Sequence, residues 1–209
     1  MFSEIIMNKR NALKLIATCA GMTGAAGLFS ACSEKKLAFS AIDLTGADYA
    51  RDFALTDHLG QPRRLKDFAG KVVVLFFGYT QCPDVCPTGM AELAEVKKLL
   101  GKDGERLQGL FVTVDPQRDT PEVLKAYMGN FDPSFLALYT TPEKLEALAK
   151  DYKVYFKKVD GKTPSSYSMD HSAGSYVYDA QGKLRLYARY GSGAQPLAAD
   201  VKLLLQQGS

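Results

Sequence analysis

The sequence predicts a layered α/β domain: a central mixed sheet flanked by helices and finished by a β-hairpin and a last helix. Three observations predict it. Short continuous apolar runs alternate with stretches of helical period, as when crossover helices cover both faces of a sheet. Two Thr-Pro-Glu sequences open helical stretches, each with a capping residue followed by Pro in the first turn. A Gly-containing turn joins two strand-like runs near the C-terminus.

The elements follow in order. Lys71–Gly78 is an unbroken apolar run of strand length, suited to burial on both faces. Pro87–Leu100 places Met90, Leu93, Ala94, Val96 and Leu99-Leu100 near helical spacing and stops at Gly101. Leu110–Val114 reads as a second buried strand, and Thr120-Pro-Glu opens a helix to about Gly129. Phe135–Tyr139 is the third strand. Thr141-Pro-Glu-Lys begins a helix that ends near Lys150, and Val154-Tyr-Phe156 extends the chain again. Gly174–Asp179 and Lys183–Tyr187, joined through Ala180-Gln-Gly182, form the hairpin. Pro196–Gln207 is the closing helix.

Length and composition suit one domain with an appendage: 209 residues, 46% hydrophobic and 23% charged. The formal charge of +3 is small and Lys/Arg do not cluster, which argues against a nucleic-acid partner. Part of that charge lies in Lys9, Arg10 and Lys14, which precede the apolar, small-residue stretch Leu15–Phe29. A basic segment followed by a short apolar one describes an export signal over residues 1–31. The apolar run is shorter than the roughly 20 residues that span a bilayer, and Gly21, Gly24 and Gly27 weaken it as a helix. Met7 is a second candidate start. Asn8-Lys-Arg-Asn-Ala-Leu-Lys14 is similar to a twin-arginine signal with Lys in place of the first Arg. Phe29-Ser30-Ala31-Cys32 resembles a lipobox, which makes Cys32 the expected point of lipid attachment, with simple cleavage as the rival. Residues 32–50 read as a tether and 51–209 as the folded domain.

Cysteine occurs at 19, 32, 82 and 86, and histidine at 58 and 171, so few residues are available to bind a soft metal. Gly78-Tyr-Thr-Gln-Cys82-Pro-Asp-Val-Cys86-Pro87 lies where the first buried strand hands over to its helix. Cysteines at i and i+4 share one side of a helical turn. A position near a helix N-terminus favours the thiolate, the form that binds metal and attacks disulfides. Thioredoxin-type oxidoreductases usually carry two residues between their cysteines; here there are three. Ser168-Met-Asp170-His171-Ser172 is read as a loop before the last hairpin. It offers a histidine where thioredoxins place a proline beside their active cysteines. Two thiolates and an imidazole suit Cu(I), and with an added ligand Cu(II). His58 reads as a turn between two short strands. In Asp115-Pro-Gln-Arg-Asp-Thr-Pro121, Asp119 or Thr120 caps the next helix, while Asp115 and Arg118 bear on the electrostatics of the site. Asp170 is a candidate to orient His171. Met169 is a weak ligand at most and is expected to pack.

Cys82-Pro-Asp-Val-Cys86-Pro87, Val114-Asp-Pro-Gln-Arg-Asp-Thr-Pro121 and Asp170-His-Ser172 together resemble the Sco/SenC family of copper chaperones over roughly residues 50–207. The resemblance implies a thioredoxin-like fold, copper held by Cys82, Cys86 and His171, and a part in assembling the copper centre of cytochrome c oxidase. The implied partners are the copper-binding oxidase subunit or another periplasmic copper chaperone. Several family members use a transmembrane helix as anchor, whereas this leader suggests cleavage and a lipid. The expected location is the bacterial cell envelope, tethered to the membrane and facing the periplasm. A rival function is a thiol–disulfide reductase, acting through the Cys82–Cys86 redox pair, that keeps the cysteines of a copper-receiving protein reduced. Peroxide reduction is a more distant alternative, because peroxidases of this fold carry their reactive cysteine in a different setting.

Overall fold

The computed structural model describes residues 38–163 and 166–207. The leader, Cys19 and Cys32 lie outside these residues, as does the start of the expected tether. No helix among the described residues is long and apolar enough to cross a membrane.

Among the described residues, ten strands and four α-helices follow one another along the chain. Ile42–Asp43 (β1), Ala54–Asp57 (β2) and Pro62–Arg64 (β3) precede Val72–Gly78 (β4). Val85–Leu99 (α1), Leu107–Thr113 (β5), Pro121–Met128 (α2), Leu136–Tyr139 (β6) and Pro142–Asp151 (α3) follow. The chain ends with Phe156–Val159 (β7), Ser168–His171 (β8), Ser175–Tyr178 (β9), Leu184–Ala188 (β10) and Ala194–Gln207 (α4). Eight strands form one sheet in the order β1-β10-β9-β4-β5-β6-β2-β3, and β7 with β8 forms a separate two-stranded ribbon.

The sheet is mixed, as predicted. β4 runs parallel to β5, in register from Val72↔Leu107 to Gly78↔Thr113, and β5 runs parallel to β6. β9 lies antiparallel on the other side of β4. Every residue of β4 and β5 is buried, which explains their unbroken apolar runs. Fully buried Leu75, Phe77, Leu110 and Phe111 stabilise this centre by about 1.5–3 kcal/mol each. Thr120 caps α2 by accepting the Val123 N–H, and Pro121 takes the first turn. α1 ends at Leu99; Gly101, at φ +58, opens a 3-10 turn over Gly101–Arg106.

The fold departs from the sequence reading at residues 40–43 and 168–171, and β7 spans Phe156–Val159 where Val154–Phe156 was expected. Ile42–Asp43, inside the stretch read as tether, pairs with β10, and the Asp200 carboxylate accepts the backbone N–H groups of Ser40 and Ala41 at 2.9 and 2.8 Å. Hydrogen bonds therefore hold residues 40–43 to the domain where composition gave no signal. Ser168–His171, read as a loop, is a strand paired to β7 in the register Phe156↔His171 to Val159↔Ser168. Its polar residues suit a ribbon open to solvent, with only Met169 of the four buried.

Candidate metal centre

β4 ends at Gly78, and the chain turns through Tyr79–Asp84 into α1, so both cysteines sit at the carboxyl end of the parallel strands. Cys86 is the second residue of α1 and is 0% exposed; Cys82, in the turn, is half-buried. The backbone N–H of Cys86 points at Cys82 Sγ at 3.4 Å. β8 brings His171 to the same place, with Nε2 3.3 Å from Cys86 Sγ. The two sulfurs and a ring nitrogen lie within 4.8 Å of one another, and this is the one such cluster among the described residues.

The imidazole is prepared to accept. Its Nδ1 lies 2.9 Å from the Ser172 carbonyl oxygen. A carbonyl can only accept, so Nδ1 carries the proton and Nε2 presents its lone pair to Cys86. Burial holds the histidine pKa below its ordinary 6.5, which keeps the ring neutral. Phe76 and Tyr79 meet the ring edge-on, with centroids 6.0 and 5.8 Å away.

The expectation of a thiolate does not hold for metal-free Cys86. Burial, aided by the neighbouring Cys82 sulfur and Asp119, pushes its thiol far above the ordinary range. A helix N-terminus supplies roughly 0.3–1 kcal/mol in favour of an anion, too little to offset burial of an unpaired charge. Cys86 is therefore a thiol that shares its hydrogen with Nε2, and a thiophilic cation would displace that proton.

The other expected residues fall around the centre. The Asp115 carboxylate is buried, paired with Arg118, and accepts the Tyr167 hydroxyl at 2.8 Å; none of the three donors is among its partners. Asp170 is exposed, and the Ser172 carbonyl takes the place expected for it beside His171. Met169 packs in the core. His58 lies at the β2–β3 turn, where Nδ1 accepts the Ala137 N–H at 3.1 Å, a structural role.

Two contributors were not foreseen. Asp119 does not cap α2. It is buried and brackets the cysteine turn, accepting the Thr80 hydroxyl and the Thr113 hydroxyl at 2.5 Å each, and the Thr80 N–H at 3.1 Å. Gly78 is the other: a Cβ there would come within 2.8 Å of Cys86 Sγ and of the Phe76 and Phe111 rings. A glycine closing a buried strand just before a cysteine motif was the available sequence signal.

A mixed sheet with two thiols and an imidazole at the ends of its parallel strands defines a thioredoxin-like protein with a three-donor site for a soft metal. Residues 43–206 match the SCO1/SenC family model, and the chain belongs to that family. A SCO2-like protein of Rickettsia felis is 32% identical over 179 residues, covering 83% of this chain and 87% of its own. The structure of Bradyrhizobium japonicum ScoI with copper bound is 39% identical, with a TM-score of 0.67 over 73% of this chain and 97% of that one. A SCO1/SenC family lipoprotein from Bacillus anthracis is 26% identical, with a TM-score of 0.64 over 76% of this chain and 98% of that one.

Proposed function

We propose that this chain is an exported, membrane-tethered copper metallochaperone that carries one copper ion on Cys82, Cys86 and His171. It delivers the ion to the copper centre of cytochrome c oxidase, or matures that centre. The observation that carries this reading is the convergence of Cys82 Sγ, Cys86 Sγ and a His171 nitrogen within 4.8 Å. Two sulfurs and one nitrogen form a soft, low-coordinate set that favours Cu(I) and accommodates Cu(II) with one more ligand. Copper bound in the related ScoI supports the choice of metal. Copper is the cargo here: on loading it displaces the proton shared by Cys86 and Nε2 together with the Cys82 S–H proton, and both return on release. A basic leader, Cys32 and the family's Bacillus anthracis lipoprotein support the envelope location and the anchor.

The half-buried Cys82 beside Cys86 also suits a thiol–disulfide reductase acting on the cysteines of a copper-receiving protein. His171→Ala separates the two. It removes the nitrogen donor and leaves both thiols. Under the metallochaperone reading, the variant binds copper more weakly and supports less oxidase assembly at limiting copper, while reduction of a model disulfide continues. Normal oxidase activity in this variant at limiting copper would overturn the reading in favour of the reductase.

A further inference from the structure

His171 is carried by the β7–β8 ribbon, whose hydrogen-bond ladder is separate from that of the main sheet. Other contacts must therefore set the height of the imidazole over the cysteine turn. The Arg118 side chain joins the relevant segments. The Arg118 Nε bonds the Asp115 carboxylate on the loop leaving β5. Its Nη1 donates to Gln81 Oε1 at 3.0 Å, on the residue before Cys82, and to the Tyr167 carbonyl at 2.8 Å, on the residue before β8. The guanidinium lies 3.5 Å from the centroid of the Tyr167 ring. Lys158 Nζ approaches the same ring at 4.1 Å, and the Tyr167 hydroxyl is tied to Asp115. Arg118 is largely buried, with 14% of its side chain exposed.

We propose that Arg118, by clasping Tyr167, fixes one end of β8 so that His171 at the other end meets the two cysteines; it is a positioning residue for the third donor. A four-residue strand is a short, stiff lever, so slack at Tyr167 is passed to the imidazole. A planar fork that serves three acceptors and stacks on an aromatic ring is a task lysine cannot perform. This inference rests on the copper reading above.

The test is Cu(I) affinity by chelator competition, with X-ray absorption, on Arg118→Lys in the native and His171→Ala backgrounds. In the native background, affinity is expected to fall about tenfold, with both sulfurs kept and the nitrogen scatterer lost. In the His171→Ala background, Arg118→Lys is expected to cause no further loss, because coupled residues are non-additive. Equal losses in both backgrounds, or no loss in either, would overturn the proposal. Tyr167→Leu, which keeps the Arg118–Asp115 pair, is read in the same way should Arg118→Lys fail to fold. An unmutated protein that takes up no Cu(I) overturns the copper reading and this inference together. A loss in His171→Ala without one in Arg118→Lys overturns this inference alone.

Discussion

A methyl group on Gly78 would lie 2.8 Å from Sγ of Cys86. The same methyl would press on the Phe76 and Phe111 rings, which line the core beneath the site. Gly78→Ala must therefore move a helix start or two rings, and overpacking of this kind costs about 1–3 kcal/mol. Urea unfolding is expected to show that loss, together with weaker Cu(I) uptake from a displaced Cys86. Unchanged stability in the variant would show that the contact yields freely.

The thiols carry the next expectation. Cys82→Ala or Cys86→Ala leaves one sulfur and one imidazole, and Cu(I) affinity is expected to fall by about 100-fold or more. X-ray absorption of the reduced, unmutated domain is expected to find two sulfurs and one nitrogen around one Cu(I). Native stoichiometry and affinity in either alanine variant would remove that cysteine from the ligand set.

Asp57 sets an acid limit on stability. Burial disfavours its charge, but the N–H groups of Gln61 and Leu59 and the Arg63 guanidinium outweigh burial and hold the carboxyl below its ordinary 3.8. A folded-state pKa below the unfolded one stabilises the protein above pH 3.8, and the contribution disappears as pH falls through the folded value. Asp57→Asn is expected to be less stable than the unmutated protein at neutral pH, with the gap closing below pH 3.8. A gap of constant size down to about pH 2 would contradict the linkage.

The anchor is checked at the native N-terminus. Mass spectrometry and detergent partitioning are expected to find a lipid-modified Cys32, with more than one acyl chain because a single chain holds a protein to a membrane only weakly. An intact leader, or an unmodified terminus beyond residue 32, would replace the lipoprotein reading with another form of attachment.

The sequence revealed the elements whose residues face one environment. β4 and β5 are buried on both faces and read as plain apolar runs, and the helices after Thr120 and Thr141 announce themselves through Thr-Pro-Glu. β1 was not legible because it is two exposed residues long and owes its place to β10 and Asp200, more than 140 residues away. β8 is polar and pairs with one strand, so it carries no hydrophobic period. The three residues that converge at the candidate metal centre were legible from chemistry, since few thiols and imidazoles exist to choose from. Asp119 was not, because an aspartate before Thr-Pro reads as a helix cap, and only the fold brings Thr80 and Thr113 to its carboxylate.

The bonds from Ser40 and Ala41 to Asp200, next to the β1–β10 pairing, also have a mechanical consequence. Tension applied to the chain ahead of residue 40 is taken up first at this edge of the sheet and by α4. Two strands, β10 and β9, stand between that edge and β4, which leads into the cysteine turn. A pull on the chain ahead of β1 would fray that edge before the spacing of the Cys82 and Cys86 sulfurs changed.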